Sequence, residues 1–390
     1  MPYTAPHLRI GDESTYARVL DWRLKGSNEE IGAALGARGA NALQAVPLAA
    51  SDPGRIREQQ RFFRRHFRPF YDRMEGIADA HGLLMEECSH DLATLWFDIQ
   101  WPGCSAASVP RNRMANGRGH VLRNMDLGVD LSGKTDHPPS SRIFMMELAP
   151  SEGLASLSAV VFDLMSAMDG INEKGLVVVC NSHGDYRLNT GYACEPVTHP
   201  EPGLNELQIV RYLLDMCSDT DDAREAFLSL RTYYCFTPCI YMVADARGRA
   251  VVVEKSRSGN RINFTEADGE PLIMTNFGRA RFSRGADMPE DDGPKQGFVY
   301  TRYRLIEQGI DAQEMHDMES LDAIARRASF DHLSEAHHSD DSPLDRTIYR
   351  TIYDVDARAV QVSCYLGEGE DGPMHSDPLM LSLGESDADQ

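Results

Sequence analysis

Positive charge is what this chain has least of. Its 390 residues carry 39 lysines and arginines against 60 aspartates and glutamates, a formal net charge of −21. Binding nucleic acid takes a basic stripe that displaces counterions, so a nucleic-acid partner is not expected. An anionic membrane surface is excluded on the same ground. The acidity favours solubility and, weakly, neutral or cationic substrates. Long apolar runs are also missing. The most apolar early stretch, IGAALGARGANALQAVPLAA, is broken by Arg38 and Pro47 and is too polar to span a bilayer. The opening MPYTAPHLRIGDEST has neither the basic nor the apolar region of an export signal. Eight cysteines are too few for a disulfide framework in a chain of this length. The expectation is a cytoplasmic protein with reduced thiols. Walker A and dinucleotide glycine fingerprints are absent, so no cofactor is expected, and there is no internal repeat.

What is present is ordinary globular material, 42% apolar and 25% charged. The length exceeds one small core, which implies one large domain or two intimately packed parts. Residues 28–46 read as a helix with a weak interior. From Asp52 to about Ile99 the pattern is strongly helical: Phe62, Phe63, Phe67, Phe70, Tyr71 and Met74 recur at spacings of three and four. Pro53 suits a helix start, and Pro69 and Gly82 divide the run. The aromatic stripe reads as core packing rather than a cofactor box. After Trp101 the texture changes to short β-branched runs, GHVLRNMDL, RIFMMELAP, LSAVVFDLM and GLVVVCNSH. Two helices follow, LNELQIVRYLLDMC and TDDAREAFLSL, the second with Thr220 as its expected cap. Then come a hairpin turning at Ala246-Arg247-Gly248, a strand PLIMTNF, a polar loop at 283–297, two helices and a closing hairpin. This order of helices and strands points to an α+β fold with antiparallel sheets under helical layers.

The stretch WPGCSAASVP places Cys104 after Gly103. One reading is a buried inert thiol. The other is that the chain is cut before Cys104. The freed α-amine, with an ordinary pKa of about 7.7–8.0, would then sit beside the thiol as its base. Gly103, lacking a Cβ, would tolerate unusual backbone geometry at the cut. In VLRNMDL, Arg123 could hold a thiolate or a substrate carboxylate, and Asp126 could orient an amine; the plain alternative is a structural ion pair. Asn181 and Asn276 each end a strand, where a buried amide can donate to an oxyanion or simply satisfy a turn. Arg302, in YTRYR, either faces a site or lies on a solvated helix face. Ser182-His183-Gly184-Asp185 has triad residue types, but sequence neighbours rarely converge as a triad. His337-His338-Ser339-Asp340-Asp341 lacks helical metal-ligand spacing, and Cys235 and Cys239 have no second pair, so no metal is expected.

Taken in order, GCS at 103–105, RNMD at 123–126, GINEKGLVVVCN at 170–181, IMTN at 273–276 and the TRY around Arg302 resemble the choloylglycine hydrolase and penicillin (isopenicillin N) acyltransferase branch of the N-terminal-nucleophile cysteine hydrolases. The resemblance covers about 95–365. The hundred-residue lead before the cysteine looks more like isopenicillin N acyltransferase than like bile salt hydrolases. The resemblance implies a four-layer αββα sandwich. It implies self-cleavage at Gly103–Cys104, with Cys104 as nucleophile and its amine as base. Arg123 and Asp126 would orient and polarise it. Asn181 and, less directly, Asn276 would donate to the oxyanion, and Arg302 would support the site. Residues 1–103 would then be a mostly helical segment, 104–367 the catalytic core and 368–390 an acidic disordered tail. The implied chemistry is thioester acyl transfer on the amide of a small N-acyl compound, ending on water or, with acyl-CoA or a second amine, as an acyltransferase. The implied partners are that small molecule and the chain's own two fragments; homo-oligomerisation stays open. Two readings from other classes remain: a non-catalytic scaffold of the same fold, and a papain-like thiol protease with Cys104 at a helix start and a distant histidine.

Overall fold

The computed structural model describes residues 5–98, 103–129, 138–183, 202–235, 237–256, 261–282, 284–291, 298–334 and 344–385. The N-terminal part begins with strands, which the sequence reading left untyped. They are β1 (His7–Ile10) and β2 (Arg18–Gly26). Helix α1 (Asn28–Leu43) starts at a capping box in which Ser27 and Glu30 bond each other's backbone. Helix α2 (Pro53–His66) starts at Asp52, with Pro53 in its first turn. Helix α3 (Arg68–His81) ends where Gly82 turns left-handed, at φ +64°. The helical pattern does not run on to Ile99: beyond Gly82 lies a 3₁₀ turn and the two-residue strand β4 (His90–Asp91), which pairs β3 (Leu48–Ala49). The aromatic stripe is core: Phe63, Phe67 and Phe70 are fully buried, and the rings of Phe63 and Phe70 stack at 4.7 Å.

Two large sheets follow. The first contains β1, β2, β7 (Arg142–Pro150), β8 (Ser156–Val160), β9 (Asp169–Asn172), β10 (Val177–Ser182), β11 (Cys239–Ala244), β12 (Arg249–Lys255) and β13 (Ile262–Asp268), in that spatial order. The second runs β14 (Leu272–Met274), β5 (Gly103–Val109), β6 (His120–Val129), β15 (Leu344–Asp354), β16 (Ala359–Gly369) and β17 (Gly372–His375), with β18 (Leu379–Ser382) also on β16. Pairing is antiparallel except between β2 and β7, which run parallel over nine residue pairs. That pair ties the segment before Gly103, with its three helices, into the main sheet. The expected disordered tail is corrected: residues 372–375 and 379–382 are strands hydrogen-bonded to β16.

Helix α4 (Glu206–Met216) and helix α5 (Thr220–Ser229) join α1 and α3 on the outer face of the first sheet. The cap of α5 is Asp219, whose carboxylate accepts from the N–H groups of Asp221 and Asp222. Thr220 instead donates its hydroxyl to Asp245, 2.8 Å away, so it lies inside the helix and not at its cap. On the second sheet's outer face lie α6 (Val299–Asp311), α7 (Met318–Arg327) and α8 (Phe330–Ser334). The result is a four-layer αββα sandwich, as expected. One apolar cluster fills the space between the sheets, and a second lies between the seven-stranded sheet and α6–α7. Among the described residues no helix is long and apolar enough to cross a membrane.

Candidate active site

Cys104 is the second residue of β5, an inner strand paired with β6 so that Cys104 faces Met125 and Ala106 faces Arg123. Side chains alternate along a strand, so Cys104, Arg123 and Met125 share one face. That face is the inter-sheet core, where Cys104 and Met125 are both fully buried. Asp126 is three residues from Arg123 and therefore projects to the other face, under the helices. The arginine and the aspartate are not a pair: Arg123 addresses the thiol, whereas Asp126 meets Arg302 and Thr347 on the other face.

On the thiol side, Arg123 Nη2 lies 3.4 Å from Cys104 Sγ and 3.1 Å from Met125 Sδ. The guanidinium is fixed from behind by Asp169 on β9, whose Oδ2 is 2.9 Å from Arg123 Nε. Asp169 also accepts hydrogen bonds from the hydroxyls of Tyr349 (2.6 Å) and Tyr353 (2.5 Å). The Tyr349 ring lies 4.9 Å from the Arg123 guanidinium carbon, so the cation rests on its face. Burial opposes the Arg123 charge, but Tyr349, Asp169 and Cys104 outweigh it and hold its pKa above the ordinary range. Burial also pushes the Cys104 thiol up to about 12, against the pull of Arg123. In this structure the sulfur therefore keeps its proton unless a base takes it.

On the helix side, Arg302 reaches down from α6. Its Nη1 donates to the Cys104 carbonyl at 2.6 Å and to Asp126 Oδ2 at 3.1 Å. Its Nη2 donates to Asn276 Oδ1 at 2.7 Å. The same Asn276 oxygen accepts the Cys104 backbone N–H at 2.8 Å. Asn276 Nδ2 is spent on Ser182, donating to its carbonyl (2.7 Å) and hydroxyl (3.0 Å) oxygens. Two donors converging on Oδ1 fix the amide's orientation, so in this structure Asn276 accepts from the Cys104 backbone N–H and its donor side is turned to Ser182. Arg302 is fully buried, so the solvated-face reading of YTRYR is set aside. Asp126 accepts from the Thr347 hydroxyl at 2.6 Å. Burial pushes its carboxyl up to about 6, against Arg302 and Thr347.

Asn181 sits on β10. Its neighbour Val179 pairs with Asp169, and Asp169 faces the seven-stranded sheet, where it meets Arg123. Asn181 is two residues on from Val179 and faces the same way. It is fully buried, and neither amide atom has a hydrogen-bond partner among the described residues. A buried amide left unsatisfied is costly, so its place on this face makes Asn181 a candidate to meet a ligand.

Gly103 pairs with Asp126 and has no positive φ. Its constraint is space rather than backbone strain: a Cβ there would lie 2.7 Å from Phe330 Cε2 and 3.3 Å from Asp126 Cβ. Of the other clusters, only some members are described. His183 is buried 3.6 Å from Glu254, and Asp185 lies outside the described residues, as do 337–341 and much of the loop at 283–297. Cys239 is buried while Cys235 is exposed. Asp169, Tyr349, Thr347 and Phe330 were missed from sequence. Asp169 directly precedes the GINEKGLVVVCN run; an acid opening an apolar strand is the one signal that was available.

Two facing sheets between helical layers, with a cysteine heading an inner strand, are the architecture of the N-terminal-nucleophile hydrolases. The chain belongs to the acyl-coenzyme A:6-aminopenicillanic acid acyl-transferase family, whose model matches residues 114–368. That span encloses Arg123, Asp126, Asn181, Asn276 and Arg302 and begins after Cys104. No curated protein matches the chain. Among solved structures it is similar to a conjugated bile acid hydrolase from Clostridium perfringens, at 14% identity and TM-score 0.48, covering 74% of this chain and 94% of that one. It is also similar to penicillin V acylase from Agrobacterium tumefaciens, at 16% identity and TM-score 0.44, covering 70% and 84%. A third is the N-acylethanolamine-hydrolyzing acid amidase ortholog of Caenorhabditis elegans, at 16% identity and TM-score 0.37, covering 65% and 92%.

Proposed function

We propose that this protein is an autoprocessed N-terminal-cysteine enzyme that cleaves or transfers the acyl group of a small N-acyl compound through a thioester. The observation that carries the reading is the grip on Cys104. Its N–H is held by Asn276, its carbonyl by Arg302 and its thiol faces Arg123. A merely structural thiol needs none of these.

In self-cleavage, Sγ attacks the Gly103 carbonyl carbon, and the Gly103–Cys104 C–N bond breaks as the nitrogen takes a proton. A thioester and a free amine result. Water hydrolyses the thioester, leaving a Gly103 carboxylate and the thiol. In the mature enzyme the amine then accepts the thiol proton. Sulfur attacks the substrate carbonyl, and the Asn181 amide, which has no hydrogen-bond partner among the described residues, donates to the oxyanion. The amine returns the proton to the leaving nitrogen. Arg123, fixed by Asp169, stabilises thiolate character at sulfur. Water completes hydrolysis. An amine acceptor, or an acyl-CoA donor of the kind in the family's name, makes the same site an acyltransferase. The papain-like reading lacks its parts: Cys104 opens a strand, not a helix, and no described imidazole bonds its sulfur. All seven described cysteines are unpaired, in keeping with a cytoplasmic location.

The test is a denaturing intact mass of the purified protein. The wild type is expected as two fragments of about 11 and 32 kDa, scaled from 43.5 kDa over 103 and 287 residues, while Cys104→Ala stays whole. An uncut wild type would leave the mechanism without its base and favour the non-catalytic scaffold. Fragments in hand, turnover of N-acyl amines with water, and of acyl-CoA with an amine, separates the two outcomes.

A further inference from the structure

A second polar site lies on the outer side of the seven-stranded sheet, away from the thiol. A cavity of about 260 Å³ opens between α7–α8 and the end of β17, and Arg326, Arg327, His332, Arg350 and His375 line it around Asp331. On a chain of net charge −21 this gathering of three arginines runs against the prevailing field. Repulsion among them is a cost that neighbouring acids only partly offset. Asp322 is shared between Arg326, at 2.6 Å, and Arg350, at 3.5 Å. Asp331 is shared between His375, at 3.0 Å, and Arg350, at 4.0 Å. Arg327 makes no ion pair among the described residues.

Arg350 is the telling residue. It rises from β15 into the wall of the cavity with 3% of its surface exposed. Both its ion pairs are long, and among the described residues its Nε and Nη2 find no hydrogen-bond acceptor. Burial disfavours its charge and pulls its pKa below the ordinary value. A buried guanidinium with an unspent face is stable only if something completes it, and the complement to its planar fork is a tetrahedral or planar oxyanion. Two exposed arginines at the mouth, Arg326 and Arg327, supply the remaining charge for a dianion.

We propose that this cavity binds a phosphate group, with Arg350 at its floor and Arg327 at its mouth. The site is separate from the acyl-transfer chemistry, because Arg350 lies beneath the helices and Cys104 faces the opposite side of the same sheet. The phosphate comes either from the free ion or from the phosphate ester of a larger ligand such as coenzyme A.

The test uses the uncut Cys104→Ala chain, so that neither cleavage nor turnover affects the readout. Its failure is therefore distinct from failure of the proposed function. Titration calorimetry and thermal melting are run with inorganic phosphate, coenzyme A and dephospho-coenzyme A against chloride at matched ionic strength. Phosphate stabilises many proteins without a site, so variants decide. Arg327→Glu and Arg350→Lys are each expected to weaken phosphate binding at least fivefold. Arg61→Glu, an exposed change of the same charge on α2, leaves it unchanged. Arg327→Glu stands on the surface and keeps the test valid even if Arg350→Lys does not fold. Binding of inorganic phosphate alone assigns the free ion. Binding of coenzyme A that is weakened by removing its 3′-phosphate and by Arg327→Glu assigns the ester. Equal affinity in the starting chain and Arg327→Glu, or a response to phosphate no greater than to chloride, overturns the proposal.

Discussion

Asp126 is the residue at which pH enters this site. Its carboxyl is raised from 3.8 to about 6 by burial. The folded state therefore binds this proton more tightly than the unfolded chain does. The stability gained is fully present below about pH 3.8 and lost as pH rises through about 6. Function runs the other way, because Asp126 holds Arg302 on the Cys104 carbonyl only as a carboxylate. Uncut chain has no free Cys104 amine to titrate, so self-cleavage isolates the effect. The ratio of wild-type to Asp126→Asn cleavage rates should fall about tenfold from pH 7 to pH 5, as one group with a pKa near 6 dictates. A flat ratio would remove Asp126 from the step. Asp169 is the second telling residue. Replacing it with Asn strips a buried Arg123 of its counter-charge, an expected loss of about 3–5 kcal/mol by urea unfolding. Tyr349→Phe removes one hydrogen bond to that charge and should cost about 1.5–3 kcal/mol.

At the scale of elements, the α1–α3 contact sets the N-terminal layer. A Cβ on Gly32 would fall 2.0 Å from the Arg73 carbonyl oxygen, and one on Gly76 would fall 1.9 Å from that of Glu29. The two helices touch backbone to backbone. Gly76→Ala must push them apart, and an overpacking loss of about 1–3 kcal/mol is expected in urea melts despite alanine's better helix propensity. Arg73 ties the same layer to α4 through Asp215, 2.6 Å away, which also meets Arg211 at 2.9 Å. The α1, α2 and α3 spans were readable because their periodicity, caps and terminating glycine agree. Strands β1 and β2 were not: β2 is held by partners more than a hundred residues away on β7, and a local pattern cannot report that.

Across the whole molecule, the Gly103–Cys104 bond joins two parts of one core. Residues before it supply β1 and β2 to the nine-stranded sheet, α1–α3 to its cover and the small β3–β4 pair; residues after it supply the other strands of the two large sheets and the remaining helices described. Cutting that bond removes no inter-strand hydrogen bond of β2. The two fragments are therefore expected to co-elute as one species in native size-exclusion chromatography and to part only in denaturant. Elution of the small fragment alone would show that the β2–β7 pairing and the Arg73–Asp215 bridge do not hold it.

The sequence by itself singled out Cys104 as the candidate nucleophile and determined the order of the motifs, the α+β texture and most strand and helix spans. These depend on residue type, period and local turn chemistry. Only the tertiary structure decided which face each motif serves. The odd spacing from Arg123 to Asp126 sends them to opposite sides of one sheet, one to the thiol and one to the arginine behind the backbone. Which way the Asn276 amide is turned, why Gly103 must lack a Cβ and what Asp169 holds all depend on groups far apart in the chain. Their distances are set by packing, which no local pattern encodes.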